Sequence, residues 1–226
     1  MDWTKPKRGE FGRQGYVMQA KFVREMWDAW RNGLPPRPMA TKIRGPRKRG
    51  SSRQMIACVD VDYRDVGAVA ACVCFQSWSD GTSTSETVVQ IHDVEPYQSG
   101  QFYRRELPCI LAVLKSLPEL PQVIVIDGYV WLGQQRPGLG AHLYEALGRS
   151  VAVIGVAKTR FVKAEPVVPV LRGRSRSPLY VTAVGMDVIE AASHVRTMHG
   201  PHRVSKLLKR VDQLSRGWAC HETNRG

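Results

Sequence analysis

Nowhere in this 226-residue chain do apolar residues run for the eighteen or so positions needed to span a bilayer, and the first residues are too polar for a secretory leader. Neither a membrane span nor an export signal is expected. Cysteine is scarce: five residues, an odd number, with no Cys-x-x-Cys pair. That argues against a disulfide framework and a zinc knuckle, and makes a reducing, intracellular compartment the expectation, cytoplasmic or, in a eukaryotic cell, nuclear. Acids are few as well, 20 Asp and Glu against 33 Lys and Arg, which leaves a net charge of +13. A polyanion such as nucleic acid or an anionic membrane surface is the first partner such a charge suggests. Nucleic acid is the expected one, with no membrane partner and a monomeric chain. Internal repeats and long low-complexity tracts are absent too.

What is present is an ordinary globular composition, 43% hydrophobic and 23% charged, at a length that suits one buried core with extensions. The charge is uneven. Residues 1 to 50 hold thirteen Lys or Arg against four acids, a net +9. Within them Ala20, Val23, Met26, Trp27 and Trp30 form a stripe at helical spacing, which predicts an amphipathic helix over residues 16 to 32. The basic stretch from Lys42 to Ser52, rich in Gly and Pro, predicts a linker that either contacts phosphate or is simply solvated. Residues 1–52 are therefore expected to be a basic N-terminal helix and linker, and residues 53–226 the main domain.

From Met55 onward short β-branched runs replace the helical pattern: Ile56 to Asp62, Gly67 to Phe75 and Thr87 to Ile91, joined by turns short enough to imply an antiparallel meander. A helix from Arg104 to Lys115, a strand from Val123 to Ile126, a helix from Leu139 to Leu147 and a strand from Val151 to Val156 follow. Further on come a strand from Tyr180 to Val184 and helices near 187–198 and 204–214. This order suits an α/β fold of the ribonuclease-H type, a mixed sheet with flanking helices.

Three acids fall where such a fold could gather them. Asp60 interrupts the apolar run Cys58-Val59-Asp60-Val61, Glu106 lies near the start of the first core helix, and Asp127 ends a strand of four apolar residues. A carboxylate inside a core strand is costly unless it meets a cation or hydrogen-bond donors. Carboxylate oxygens are also the ligands that Mg²⁺ and Mn²⁺ prefer. Taken singly, Asp127 could instead cap a turn and Asp60 could pair with an arginine.

Several motifs then occur in a fixed order: Asp60-Val61, Tyr97-Gln98-Ser99-Gly100, Arg104-Arg105-Glu106-Leu107-Pro108, Asp127-Gly128 and Gly155-Val156-Ala157-Lys158. This set resembles the endonuclease V family, which shows Asp-Val, Tyr-x-x-Gly, Phe-Arg-Glu-x-Pro, Asp-Gly and Gly-Val-Ala-Lys. The nine-residue step from Tyr97 to Glu106 and the fifteen-residue step from Asp127 to His142 agree with the family pattern. The resemblance implies a metal-dependent endonuclease that uses Mg²⁺ or Mn²⁺ and cuts on the 3′ side of a deaminated, inosine-type base in DNA. It implies Asp60, Glu106, Asp127 and Asp212 as metal ligands and Lys158 as a catalytic phosphate-side cation. Tyr97, Gly100, Gly128 and His142 are implied at the substrate.

The chain departs from the family in the segment from Arg203 to Asp212, which lacks the family's two prolines and glutamate, and at Gln98-Ser99, which replaces an apolar pair beside the base. A lower preference for inosine over an undamaged base is the expected consequence. Two alternatives remain at this point: an endoribonuclease directed at inosine, and a non-catalytic nucleic-acid-binding protein on the same fold.

Overall fold

The computed structural model describes residues 54–65, 67–92, 94, 102–134 and 136–217, together with the backbone of 14–18. Its elements in chain order are β1 (Gln14–Met18), β2 (Ile56–Tyr63), β3 (Ala68–Phe75), β4 (Ser85–Ile91), α1 (Phe102–Lys115), β5 (Val123–Asp127), α2 (Leu139–Ala146), β6 (Ala152–Ala157), β7 (Val168–Val170), β8 (Leu179–Val184), α3 (Val188–Thr197) and α4 (Lys206–Gly217). The strands form one mixed sheet in the order β1-β4-β3-β2-β5-β6-β8-β7. The meander β2-β3-β4 is antiparallel, as its short turns require, and β5 and β6 extend it in parallel. α1 leads from β4 to β5 and α2 from β5 to β6, the helical crossovers that parallel neighbours need. β8 closes on β6 antiparallel, with the short β7 outside it.

Side-chain alternation along the strands decides what faces what. In β2, Ala57 and Val59 join the cluster under α1 and α2, while Ile56 and Cys58 join the cluster under α3 and α4. β3 is buried along its whole length, as a strand covered on both faces should be. On the second face Leu207, Val211 and Leu214, at helical spacing, press α4 onto the sheet. At roughly 2 kcal/mol for each fully buried aliphatic side chain, that stripe alone holds α4 firmly. The Arg210 guanidinium adds a two-pronged bond to Glu86 of β4, at 2.8 and 2.7 Å. α3 begins at Asp187, whose carboxylate accepts from the backbone N–H groups of Ile189 and Glu190.

The helix expected over residues 16 to 32 does not begin where the sequence pattern placed it. Tyr16 to Met18 belong to β1, which pairs in parallel with β4. β4 would otherwise present an open backbone edge, and such an edge captures an extended β-prone segment such as Gln14–Met18 over a competing helical periodicity. The remainder of that helix and the basic run from Lys42 to Ser52 lie outside the described residues. β7 was not anticipated: three residues containing Pro169 carry too little pattern to read.

Candidate active site

Asp60, Asp127 and Lys158 converge because the strands that carry them alternate in step. Asp60 shares the parity of Ile56 and Cys58, Asp127 that of Val123 and Val125, and Lys158 that of Ile154 and Val156; all of these partners face α3 and α4. β2, β5 and β6 run parallel, so Asp127 and Lys158 emerge together at the carboxyl ends of β5 and β6, the position open α/β sheets use for their sites, with Asp60 alongside on β2. α4 brings Asp212 to the same place. A cavity of about 250 Å³ is lined by Asp60, Asp127, Lys158, Asp212 and Lys209 among others, with Leu179 and Leu208 as apolar wall.

Each acid has its own environment. The Lys158 ammonium donates to the Asp127 carboxylate at 2.7 Å. Burial pulls the Lys158 pKa down, but the bond to Asp127 and the charges of Asp127, Asp212 and Asp60 together outweigh it and leave it raised. The Ser215 hydroxyl donates to Asp60 at 2.6 Å. Burial raises the Asp60 pKa, the Ser215 bond opposes that, and the charges of Asp127 and Asp212 raise it further. Asp212, 35% exposed, accepts from Arg216 at 3.0 Å on the same helix. Glu106, only 6% exposed, stands behind the cavity lining; burial, then Asp60 and Asp127, push its carboxyl well above the usual range. Its Oε2 is buried without a hydrogen-bond partner.

The residues expected at the substrate are not all gathered. Gly128 follows Asp127 with φ of +135°, a conformation suited to glycine, and turns the chain sharply at the strand end. His142 does not line the cavity: its ring stacks on Tyr103 between α1 and α2, with centroids 3.8 Å apart, and burial lowers its pKa. Tyr97 and Gly100 lie outside the described residues. Two contributors escaped the sequence reading. Ser215 holds Asp60, and Arg64 donates to the carbonyls of Ser215 and Arg216 at 3.1 and 3.0 Å, closing the last turn of α4 beside the end of β2. Ser215 did leave a signal, since it sits four residues after Val211 on the buried face of α4 and is itself fully buried.

As placed, no three His, Cys, Asp or Glu side chains among the described residues form a ready metal-binding group. Asp127 is engaged by Lys158, Asp60 by Ser215 and Asp212 by Arg216. The donor set nonetheless fits a hard divalent cation: four carboxylates, of which Glu106 has an orphaned buried oxygen, and Asp60 and Glu106 have pKa values raised by burial and then by the neighbouring acids, the mark of a site short of positive charge.

A mixed sheet of this topology, with Asp60 and Asp127 level on neighbouring parallel strands and α4 closing over them, is a ribonuclease-H-like fold. Comparison with known proteins gives the family. The Endonuclease V family profile matches residues 37–205. The chain is 32% identical over 182 residues to endonuclease V of Streptomyces avermitilis, covering 70% of this chain and 77% of that protein. It is 32% identical over 155 residues to endonuclease V of Azotobacter vinelandii, covering 67% and 69%. The crystal structure of Ciona intestinalis endonuclease V superposes with a TM-score of 0.63 at 20% identity, covering 74% of this chain and 86% of that one. The chain belongs to the endonuclease V family, and it is an endonuclease acting on nucleic acid. Asp212 lies beyond the matched segment, so its place at the site rests on the packing of α4.

Proposed function

We propose that the chain hydrolyses a phosphodiester on the 3′ side of a deaminated, inosine-type base in DNA, with Mg²⁺ or Mn²⁺ held by Asp60, Glu106, Asp127 and Asp212. The observation that carries this reading is the convergence of Asp60, Asp127, Lys158 and Asp212 on one cavity, with the unsatisfied oxygen of Glu106 behind it. The Ciona relative was solved in complex with a 24mer DNA containing an inosine followed by a ribo-adenosine, which supports both the lesion and the polymer. Bound there, the metal supplies an activated water and neutralises the leaving oxygen. Lys158 steadies the Asp127 carboxylate and offers a compact cation to a phosphate oxygen. Val59, Leu179 and Leu208 form the apolar wall against which those charges stand. The test is cleavage, with Mn²⁺, of matched DNA and RNA oligonucleotides with and without one inosine. Cutting of the DNA strand only beside inosine supports the reading, inosine-directed cutting of RNA alone overturns the choice of DNA, and equal cutting of the unmodified strands overturns the lesion assignment.

Ser215→Ala removes the donor that aims Asp60, and losing such a supporting bond typically costs about 10 to 100-fold in metal affinity. The Mn²⁺ concentration giving half-maximal rate should rise accordingly, while an unchanged half-maximum would show that Asp60 needs no such support. For the basic run near the N-terminus, substitution is a better probe than deletion, because Gln14–Met18 supply a strand to the sheet. Replacing Arg47, Lys48 and Arg49 with Ala should flatten the salt dependence of binding by about one slope unit for each residue that touches a phosphate. An unaltered slope would mean that this run faces away from the substrate.

A further inference from the structure

The connection from β7 to β8, residues 171–178, reads Leu-Arg-Gly-Arg-Ser-Arg-Ser-Pro and contains three arginines and no acid. Its base is pinned. The Arg172 side chain is 5% exposed, and its guanidinium donates to the carbonyls of Arg196 at 3.4 Å, His202 at 3.0 Å and Arg203 at 3.2 Å, and also to that of Met198. Gly173, with φ of +57°, presses so close to Pro201 that a Cβ would stand 2.0 Å from its carbonyl oxygen. Above this base the loop bonds to itself: the Ser175 N–H donates to the Arg172 carbonyl at 3.3 Å, and Ser175 and Ser177 exchange bonds at 3.2 Å. Arg174 and Arg176 are left exposed, and neither makes an ion pair among the described residues.

The position of this loop gives its charges a use. It leads into β8, whose first residue, Leu179, lines the catalytic cavity, and Tyr180 pairs with Ala157, the neighbour of Lys158. Arg203 donates to the carbonyls of both Pro178 and Lys158, tying the loop's exit to the strand end that carries the catalytic lysine. Leu179 is three positions after Arg176, a reach of at most about 11 Å. With phosphates along one strand spaced about 3.4 Å in rise, Arg176 stands within roughly three nucleotides of the cavity. Guanidinium groups match phosphate oxygens in geometry, and a loop already ordered loses little freedom on binding.

We propose that Arg174 and Arg176 form a phosphate clamp for the nucleic-acid strand flanking the cut, an interaction surface separate from the carboxylate cluster. This rests on the reading that the cavity takes the scissile phosphate. The test uses the full chain with chelator present, measuring binding to a labelled inosine-containing DNA duplex between 50 and 200 mM KCl, roughly the range over which phosphate contacts are most visible. Arg174→Ala/Arg176→Ala should make the slope of log affinity against log salt shallower by about 2, one for each phosphate no longer neutralised. Arg149→Ala, an exposed arginine at the opposite end of β6 and paired with Glu145, serves as the control and should leave the slope unaltered. An unchanged slope in the double variant, or the same flattening in the control, overturns the clamp. If the wild type fails to cut inosine substrates yet the double variant flattens the slope, the lesion reading falls and the clamp stands. Normal cutting with an unchanged slope overturns the clamp alone, and a wild type that binds no nucleic acid overturns both.

Discussion

Replacing Asp127 with Asn is expected to lower the cleavage rate by about three orders of magnitude and to leave the melting temperature nearly unchanged. The Asp127 side chain is 46% exposed at the end of β5, and its strong contact is the pair with Lys158, whose side chain is 47% exposed. Pairs this open to solvent contribute little to folding, on the order of 0 to 1 kcal/mol. Catalysis is another matter. A carboxamide keeps the shape but loses the charge that binds a hard cation, and a metal's charge stabilisation of the transition state is worth several kcal/mol, with each 1.36 kcal/mol a factor of about ten in rate. Asp60→Asn should behave alike, since the Ser215 hydroxyl can still donate to the amide oxygen. Glu145→Gln, an exposed acid on α2 paired with Arg149, is the matched control and should cut normally. Rates with inosine DNA, read beside thermal melting, decide it: full activity in either aspartate variant removes the site assignment.

Metal binding should also be visible without turnover. Protein stripped with chelator and then given Mn²⁺ at a hundred times its Kd should gain about 2.7 kcal/mol of stability, which for a domain of this size corresponds to roughly 5 to 10 °C in melting temperature. Glu106→Gln should abolish most of that shift and at the same time raise the melting temperature of the metal-free protein at neutral pH. The sign follows from the Glu106 carboxyl, whose pKa is raised by burial and then by Asp60 and Asp127. The folded state therefore holds its proton more tightly than the unfolded chain. Stability of the metal-free protein is fullest below the ordinary carboxylate range and declines as the pH climbs from there towards the raised value. Glutamine removes that decline, and bound cation counteracts it. A metal-free wild type whose melting temperature ignores both Mn²⁺ and pH across that interval would show that Glu106 does not share a charge-deficient site.

Much of this was legible in the linear sequence because it depends on local periodicity. Asp60 broke the apolar run of β2, Asp127 terminated that of β5 and Lys158 came directly after that of β6; period-two alternation then requires each to point to the same face as its buried neighbours two residues back. The meander and the crossovers followed from connection lengths, and the ordered motifs identified the family. Charge composition in turn pointed to a polyanionic partner.

What only the tertiary structure decided concerns contacts between residues far apart in sequence. That Tyr16 to Met18 join β4 as a strand reflects an open sheet edge about seventy residues away, which outweighs the helical periodicity that runs from Tyr16 towards Trp30. That Asp212 reaches the cavity depends on Leu207, Val211 and Leu214 docking α4 against strands more than a hundred residues earlier, and on Arg210 finding Glu86. Ser215 and Arg64 became functional candidates only when that docking brought them to Asp60 and to the end of α4. His142, whose spacing from Asp127 agrees with the family pattern, stacks its ring on Tyr103 of α1, a contact that spacing along the chain does not announce. Residue types and their spacing along single elements carry the chemistry in the sequence itself, because they are set by φ, ψ and side-chain period. The partners of that chemistry arise from burial of apolar faces, a property of the whole chain that no local pattern contains.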